Sequence, residues 1–384
     1  MQNTFELKEK MKKILSAVLL LTLLACSSND PDFVANPDYN ANRYGQFKTD
    51  TLYAIKDSVV IADTVYTNNA GQLTLANMDG FTAGFLIKYL TLPDDTLTLN
   101  EINMSFTTEG HFGSDPQEVL VDIYEVTDIW DASTVVNRNP VWHDNPPITY
   151  LKTVTMQVAD SAESTIPLDM DLLQKWQGND SLNTGLYFAL NPSVQNLVLE
   201  LSSLQSAQPP QLIYSYRDTS DTLSATNDAT IFNYDYDNGM VFQPDGRYVS
   251  SGIAQHYLVR FDFSELADKA IYYNADLVIP WDDSFPYTNP NKPGAFTLRI
   301  FDDEAAENEN PGITYVITEK ETQTKVSNQS GFASQIIQSF NNGTLEHKWF
   351  SVEYTVESDV FSVVRFYGQN STQKPMIIVK YLEK

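Results

Sequence analysis

Residues able to do chemistry are few in this sequence and poorly spaced for it. The four histidines, His111, His143, His256 and His347, are widely separated, and none falls in an H-E-x-x-H or comparable metal-ligand spacing. There is no G-x-S-x-G elbow, no glycine-rich phosphate loop and no second thiol beside Cys26. His143 next to Asp144 reads as a loop dipeptide. Glycosidases need two carboxylates on opposite sides of a bond, and 50 acidic residues single out no pair. The expectation is a non-enzymatic protein. Two segments remain as binding candidates. Pro280-Trp281-Asp282-Asp283-Ser284-Phe285-Pro286-Tyr287 sets three rings, Trp281, Phe285 and Tyr287, among prolines and acids, which predicts an exposed aromatic loop able to stack on a sugar. Asp235-Tyr236-Asp237-Asn238-Gly239 spaces Asp235 and Asp237 as calcium loops do but lacks the later bidentate glutamate. A plain Asn-Gly turn is its ordinary reading and a structural calcium the alternative. No other cofactor is expected.

The single cysteine has a different role. Lys12 and Lys13 precede an apolar run, Ile14 to Leu24, that is too short for a comfortable membrane span. Leu23-Leu24-Ala25-Cys26 resembles the lipobox of bacterial lipoproteins, in which cleavage makes the cysteine the new N-terminus and two acyl chains give stable anchoring. Residues 1–25 then form the signal peptide. Glu6 and Glu9 do not suit an n-region, so translation is expected to start at Met11. Ser27 at the second mature position is not the aspartate that retains lipoproteins on the inner membrane, and Ser27-Ser28-Asn29-Asp30-Pro31-Asp32 resembles the acidic surface-export signal of Bacteroidota. The resemblance implies an outer-membrane lipoprotein facing outward, with a periplasm-facing one as the alternative.

Charge and length bound what hangs from this anchor. The signal contributes four lysines and two glutamates, so the mature chain carries −26 − 2 = −28. Such a chain repels nucleic acid, and no basic stripe offsets the repulsion. About 360 residues remain after cleavage, more than one core usually serves. Residues 26–45, rich in Asn, Asp, Pro and Ser, read as a tether. Beyond it, apolar residues alternate at period two, as in Val119, Val121 and Ile123 or Phe350, Val352 and Tyr354, with 41 tyrosines and phenylalanines to fill half-buried strands.

The chain also repeats itself. Pro210-Gln211-Leu212-Ile213-Tyr214 is echoed by Pro375-Met376-Ile377-Ile378-Val379, Leu86-Ile87-Lys88-Tyr89 by Leu258-Val259-Arg260-Phe261, and Asp63–Asn68 is aligned with Asp228–Asn233. Offsets near 165 residues mean domain duplication, not a solenoid. The expected units are 46–217 and 221–384, each folding alone, with the boundary near Arg217 to Asp221. Each carries one short helix, holding Leu172, Leu173 and Trp176 in the first and Ile336, Ile337 and Phe340 in the second.

The first unit resembles the DNRLRE family of disaggregatase-related domains. Val121 to Thr134 is similar to the family's strand followed by a Trp-Asp/Glu-x-Ser-Thr turn. Val141 to Pro147, Ile166 to Leu190 and Pro210 to Tyr216 match its later segments. The second unit has Asp302 to Asn310 where that turn belongs, so it rests on the internal repeat. The resemblance implies an all-β protein of two tandem antiparallel β-sandwiches with jelly-roll topology, similar to carbohydrate-binding modules. The expected function is a membrane-anchored binding or adhesion lipoprotein whose partner is a polysaccharide or a surface protein. The alternatives are a structural subunit of a surface assembly or, third, a glycan-active hydrolase. Seven triplets of Asp, then Ser or Thr, then a small apolar residue, at Asp50, Asp57, Asp63, Asp95, Asp160, Asp180 and Asp221, also resemble the O-glycosylation sequon of Bacteroidota. Because the lipobox supplies the one predicted anchor, Cys26→Ala is expected to leave the protein in the aqueous phase of a detergent partition, whereas the wild type follows the membrane fraction.

Overall fold

The period-two segments become strands throughout. The computed structural model describes residues 46–61, 65–78, 80–135, 140–178, 180–234, 246–264, 266, 270–282, 284–285, 295–301, 315–318, 323–326, 342, 349–355 and 361–383. In chain order the strands are β1 (Gln46–Ile61), β2 (Gln72–Met78), β3 (Phe81–Lys88), β4 (Leu99–Gly113), β5 (Glu118–Val126), β6 (Ile148–Gln157), β7 (Glu163–Pro167), β8 (Leu186–Leu190), β9 (Leu197–Ser202), β10 (Gln211–Tyr216), β11 (Thr219–Ser224) and β12 (Asn227–Tyr234). They continue with β13 (Arg247–Ser250), β14 (Gln255–Phe261), β15 (Ala270–Pro280), β16 (Ala295–Phe301), β17 (Tyr315–Thr318), β18 (Gln323–Val326), β19 (Trp349–Tyr354), β20 (Val363–Phe366) and β21 (Met376–Glu383). Two helices, α1 (Pro140–Asp144) and α2 (Met170–Gly178), lie in the first half. Leu172, Leu173 and Trp176 of α2 are buried, as their spacing predicts. The second predicted helix, at Ile336 to Phe340, lies outside the described residues. No helix among the described residues is long and apolar enough to cross a membrane.

Among the described residues all pairing is antiparallel and falls into two curled sheets, so the all-β sandwich class is correct. One sheet runs β11-β10-β4-β9-β2-β3-β8-β5-β6, with β12 on β3 and β7 on β4. The other runs β17-β16-β19-β14-β1-β21-β15-β18, with β13 and β20 attached at β14. Each curls because one long strand changes partners. β4 pairs with β10 and β7 up to Thr107 and, beyond a shift at Thr108/Gly110, with β9. β1 pairs with β21 through Tyr53 and, around a shift at Ala54/Lys56, with β14. Such irregularities bend a strand and let it serve two layers. The layers of the first sheet enclose a core that includes Phe85, Phe106, Val121 and Leu212; those of the second enclose Phe261, Leu277, Phe350 and Val379.

The partition differs from the expected units. Arg217 and Asp218, at the predicted boundary, form the two-residue turn of the β10–β11 hairpin, with Arg217 at φ 53°. β11 and β12 then finish the first sheet, while β1, the earliest strand, belongs to the second. The first body is therefore β2–β10 completed by β11–β12, and the second body is β13–β21 completed by β1.

The two completing segments are themselves repeats. Asp50-Thr51-Leu52-Tyr53-Ala54-Ile55-Lys56-Asp57 aligns with Asp221-Thr222-Leu223-Ser224-Ala225-Thr226-Asn227-Asp228 at an offset of 221 − 50 = 171. Their contacts align as well. Asp50, Thr51 and Leu52 face Val379, Ile378 and Ile377; Asp221, Thr222 and Leu223 face Tyr214, Ile213 and Leu212. The Ala54 amide donates to the Pro375 carbonyl, and the Ala225 amide to the Pro210 carbonyl, both at 3.0 Å. Asp57 faces Val259 and Asp228 faces Ile87. The Asp57 carboxylate accepts the Gln369 amide at 2.5 Å, and the Asp228 carboxylate accepts the Leu204 amide at 2.8 Å. Each lead strand thus precedes one body in sequence and completes the other. The chain is a reciprocal strand exchange between its own two repeats.

A third apolar cluster joins the bodies. Met78, Phe81, Phe112 and Val198 meet Phe232 of β12 together with Tyr248, Ile253, Phe361 and Val363. Phe81 and Phe361 stack at 4.4 Å between centroids.

The equivalent aspartates differ in charge compensation. Asp57 is ion-paired to Arg247, at 2.8 Å. No ion pair to Asp228 is present among the described residues, and burial raises its carboxyl pKa to about 6, against the opposing pull of the Leu204 amide. Between about pH 4 and 6 the folded chain therefore holds a proton that the unfolded chain has released, and this site's contribution to stability falls as pH rises. Above pH 6 the full cost, about 3 kcal/mol for a shift of roughly two units, is present. Asp228→Asn is expected to raise the melting temperature at pH 8, to leave it unchanged near pH 4, and to flatten the stability profile between, as read by thermal unfolding.

Candidate functional site

The ring predicted to face solvent is turned inward. Trp281 is only 8% exposed and packs on Phe296 and Phe366, with centroids 5.5 and 6.0 Å away, in the core of the second body. A turn follows it. The Asp282 carboxylate accepts from the Ser284 amide at 3.1 Å and from its hydroxyl at 2.6 Å, and the Asp282 carbonyl accepts from the Phe285 amide at 3.3 Å. Trp130-Asp131-Ala132-Ser133 does the same in the first body, where the Asp131 carboxylate accepts from the Ser133 amide at 2.9 Å and hydroxyl at 2.8 Å. Those bonds, the hydroxyl's first, hold the Asp131 carboxyl below its usual value. The Trp130 indole donates to the Thr184 carbonyl at 2.7 Å. A Trp-Asp-x-Ser turn thus occurs in both bodies, after β5 in the first and after β15 in the second; Asp302 to Asn310, where the second was expected to lack the family's turn, lies outside the described residues.

Phe285 is also buried, against Tyr248 in the cluster that joins the bodies. The other predicted positions, Tyr287, Asp235, Asp237 and Cys26, lie outside the described residues. Trp142, Trp176 and Trp349 are buried as well. Of the histidines, His111 lies 3.1 Å from Asp115 and 3.5 Å from Asp160, and His256 lies 3.7 Å from Glu353. Among the described residues no group of three or more His, Cys, Asp or Glu is placed to hold a metal ion.

The exposed rings among the described residues include Phe47, Tyr53, Tyr66, Tyr150 and Tyr273; of these, Tyr150 stands on the outer face of β5, β6 and β8, where Tyr187 is itself buried against Trp142. Alternation sends Val121 and Ile123 into the core and leaves Asp122 and Tyr124 on the opposite face. Register then sets Thr153, Asp122 and Ala189 in one row and Tyr150, Tyr124 and Tyr187 in the next. Tyr150 is 55% exposed, and its ring meets Tyr124 edge-on at 5.7 Å. Its hydroxyl lies 3.0 Å from the Thr153 hydroxyl, which donates to Asp122 at 2.5 Å. The Asn191 amide donates to both oxygens of Asp122, at 3.1 and 3.0 Å. A buried carboxylate therefore fixes a hydroxyl and an amide beside an open ring. Burial, and after it Asp122 and Tyr150, raise the Tyr124 phenol pKa. An aromatic ring flanked by oriented polar groups suits the alternating apolar and hydroxylated faces of a sugar. No spacing in the sequence marks this site: Asp122, Tyr150 and Asn191 are brought together by strand register alone.

No protein-family model and no curated protein matches the chain. Among solved structures, it is aligned with a biofilm-associated protein B domain at 11% identity and a TM-score of 0.19, covering 78% of this chain and 75% of that one. The 11S allergen of Cocos nucifera aligns at 9% identity and a TM-score of 0.12, covering 88% and 90%, and procruciferin, an 11S globulin from Brassica napus, at 10% and 0.12, covering 87% and 84%. At these scores the alignments carry no argument. The burial of Trp281 makes its truncation a core deletion, so Trp281→Ala is expected to cost about 3–5 kcal/mol in chemical denaturation, where an exposed ring would cost next to nothing.

Proposed function

We propose that the protein is a membrane-anchored surface lipoprotein with a non-catalytic binding role, and that it grips polysaccharide with the tyrosine face of β5, β6 and β8. The anchor rests on Cys26 in its lipobox-like setting. The observation that carries the binding reading is the open Tyr150 ring beside the Thr153 hydroxyl and the Asn191 amide, both held by Asp122. Burial of Trp281 and Phe285 moves the proposed platform from the second body to the first. A second reading, a structural subunit of a surface assembly, is favoured by the strand exchange.

The test is a polysaccharide array probed with wild type and Tyr150→Ala. The variant is expected to bind about tenfold more weakly, the roughly 1.4 kcal/mol of one stacked ring. Its melting temperature should be unchanged, since the ring stands outside the core. Equal array signals for the two proteins would remove the site.

A further inference from the structure

The two exchanged segments are held in different ways. β11–β12 cannot leave the first body, because the Arg217-Asp218 turn ties it directly to β10 of its host. β1 has no such tie. No neighbouring strand of its host, β21 or β14, adjoins it in sequence, and its onward connection, residues 62–71, leads to β2 of the other body. Val65, Thr67 and Ala70 of this connection are buried, and the Thr67 amide donates to the Val135 carbonyl, so among the described residues the connection is fastened to the first body and not to the second. β1 is thus a strand-shaped ligand of the second body, joined to it through the first.

The groove it fills has a defined code. Leu52 and Ala54 enter the core beside Ile377, Val379, Val259 and Phe261. The Pro375 carbonyl takes the Ala54 amide. The Gln369 amide and Arg247 take the Asp57 carboxylate, whose side chain is fully buried. Gly368 makes room for that carboxylate, since a Cβ there would sit 2.7 Å from its Oδ2. The first body reads the same Asp-Thr-Leu-x-Ala-x-x-Asp pattern with Pro210 and Leu204 in the equivalent places. An empty groove would expose apolar core and unpaired strand edges, so it demands a strand. Any copy of this chain carries the strand that fits.

We propose that β1 is a donor strand exchanged between copies, so that β1 of one molecule fills the second body of the next and the copies link head to tail. The contact is heterologous, donor on one side and groove on the other, so it extends from copy to copy wherever the rotation between them does not close a ring. This goes beyond the glycan reading, and a Tyr150→Ala chain should link as the wild type does.

Thr51 and Ile378 are register partners between β1 and β21 and stand on the outer face, where cysteines disturb no core. Three full-length chains are made, each with Cys26→Ala so that no other thiol is present: Thr51→Cys, Ile378→Cys, and the double variant. The double variant should close an internal disulfide under mild oxidation, which verifies the register. The two single variants, mixed and warmed below the unfolding transition, should form a mixed disulfide. Its yield should rise about tenfold as both concentrations rise about tenfold from low occupancy, because trans filling competes with the tethered strand. Thr165→Cys, on exposed β7, replaces Thr51→Cys as the collision control. Internal closure without a mixed disulfide, or a mixed yield no greater than the control, overturns the exchange. Failure of the double variant to close overturns the strand geometry and the proposal with it.

Discussion

A curled sheet with an open groove leaves backbone N–H and C=O groups unpaired beside exposed core, and that cost is large enough to dictate the rest of the architecture. Here each body leaves such a groove, and each is closed by the other repeat's lead strand. The proline carbonyl, the apolar pair and the loop amide that receives an aspartate recur in both. With each body holding the other repeat's strand, the phenylalanine cluster around Phe81 and Phe361 packs between them.

The exchange also explains an asymmetry of charge. Both receiving loops bury a carboxylate, and a buried carboxylate is tolerated when a cation or several donors satisfy it. In the second body Arg247 and the Gln369 amide do so around Asp57. In the first, the Leu204 amide bonds Asp228 with no ion pair among the described residues, and the carboxyl is driven toward its neutral form. The covalently tied strand carries the uncompensated aspartate, and the strand held by contacts alone carries the paired one. Three of the seven triplets of Asp, then Ser or Thr, then a small apolar residue, at Asp50, Asp57 and Asp221, lie in these strands, so part of their excess comes from duplication of one docking code.

Tryptophan and tyrosine divide the aromatic work. Asx turns follow Trp130 and Trp281, and the indoles serve a backbone hydrogen bond or packing. Tyr124 and Tyr150, with a polar tip on an apolar ring, stand on the outer sheet face, and Tyr150 meets water there. That face is the better platform for a polar ligand with apolar patches, because Asp122 orients its donors before any ligand arrives.

The sequence by itself determined the strand content, the duplication and the burial of Leu172, Leu173 and Trp176, because period-two and helical spacings are local and survive any arrangement of the elements. It also held the echo of Asp50 to Asp57 in Asp221 to Asp228, the one signal that could have revealed the exchange. Which body each echo completes was decided by tertiary structure, since a lead strand carries the same pattern whether it docks on its own repeat or on the other. Proline and aspartate around Trp281 looked like solvent-facing loop chemistry, yet Asp282 bonds Ser284 and the indole fills space beside Phe296. The tyrosine face was equally out of reach: Asp122, Tyr150 and Asn191 are far apart in the chain, and only the register of β5 with β6 and β8 sets one carboxylate beneath the groups it orients.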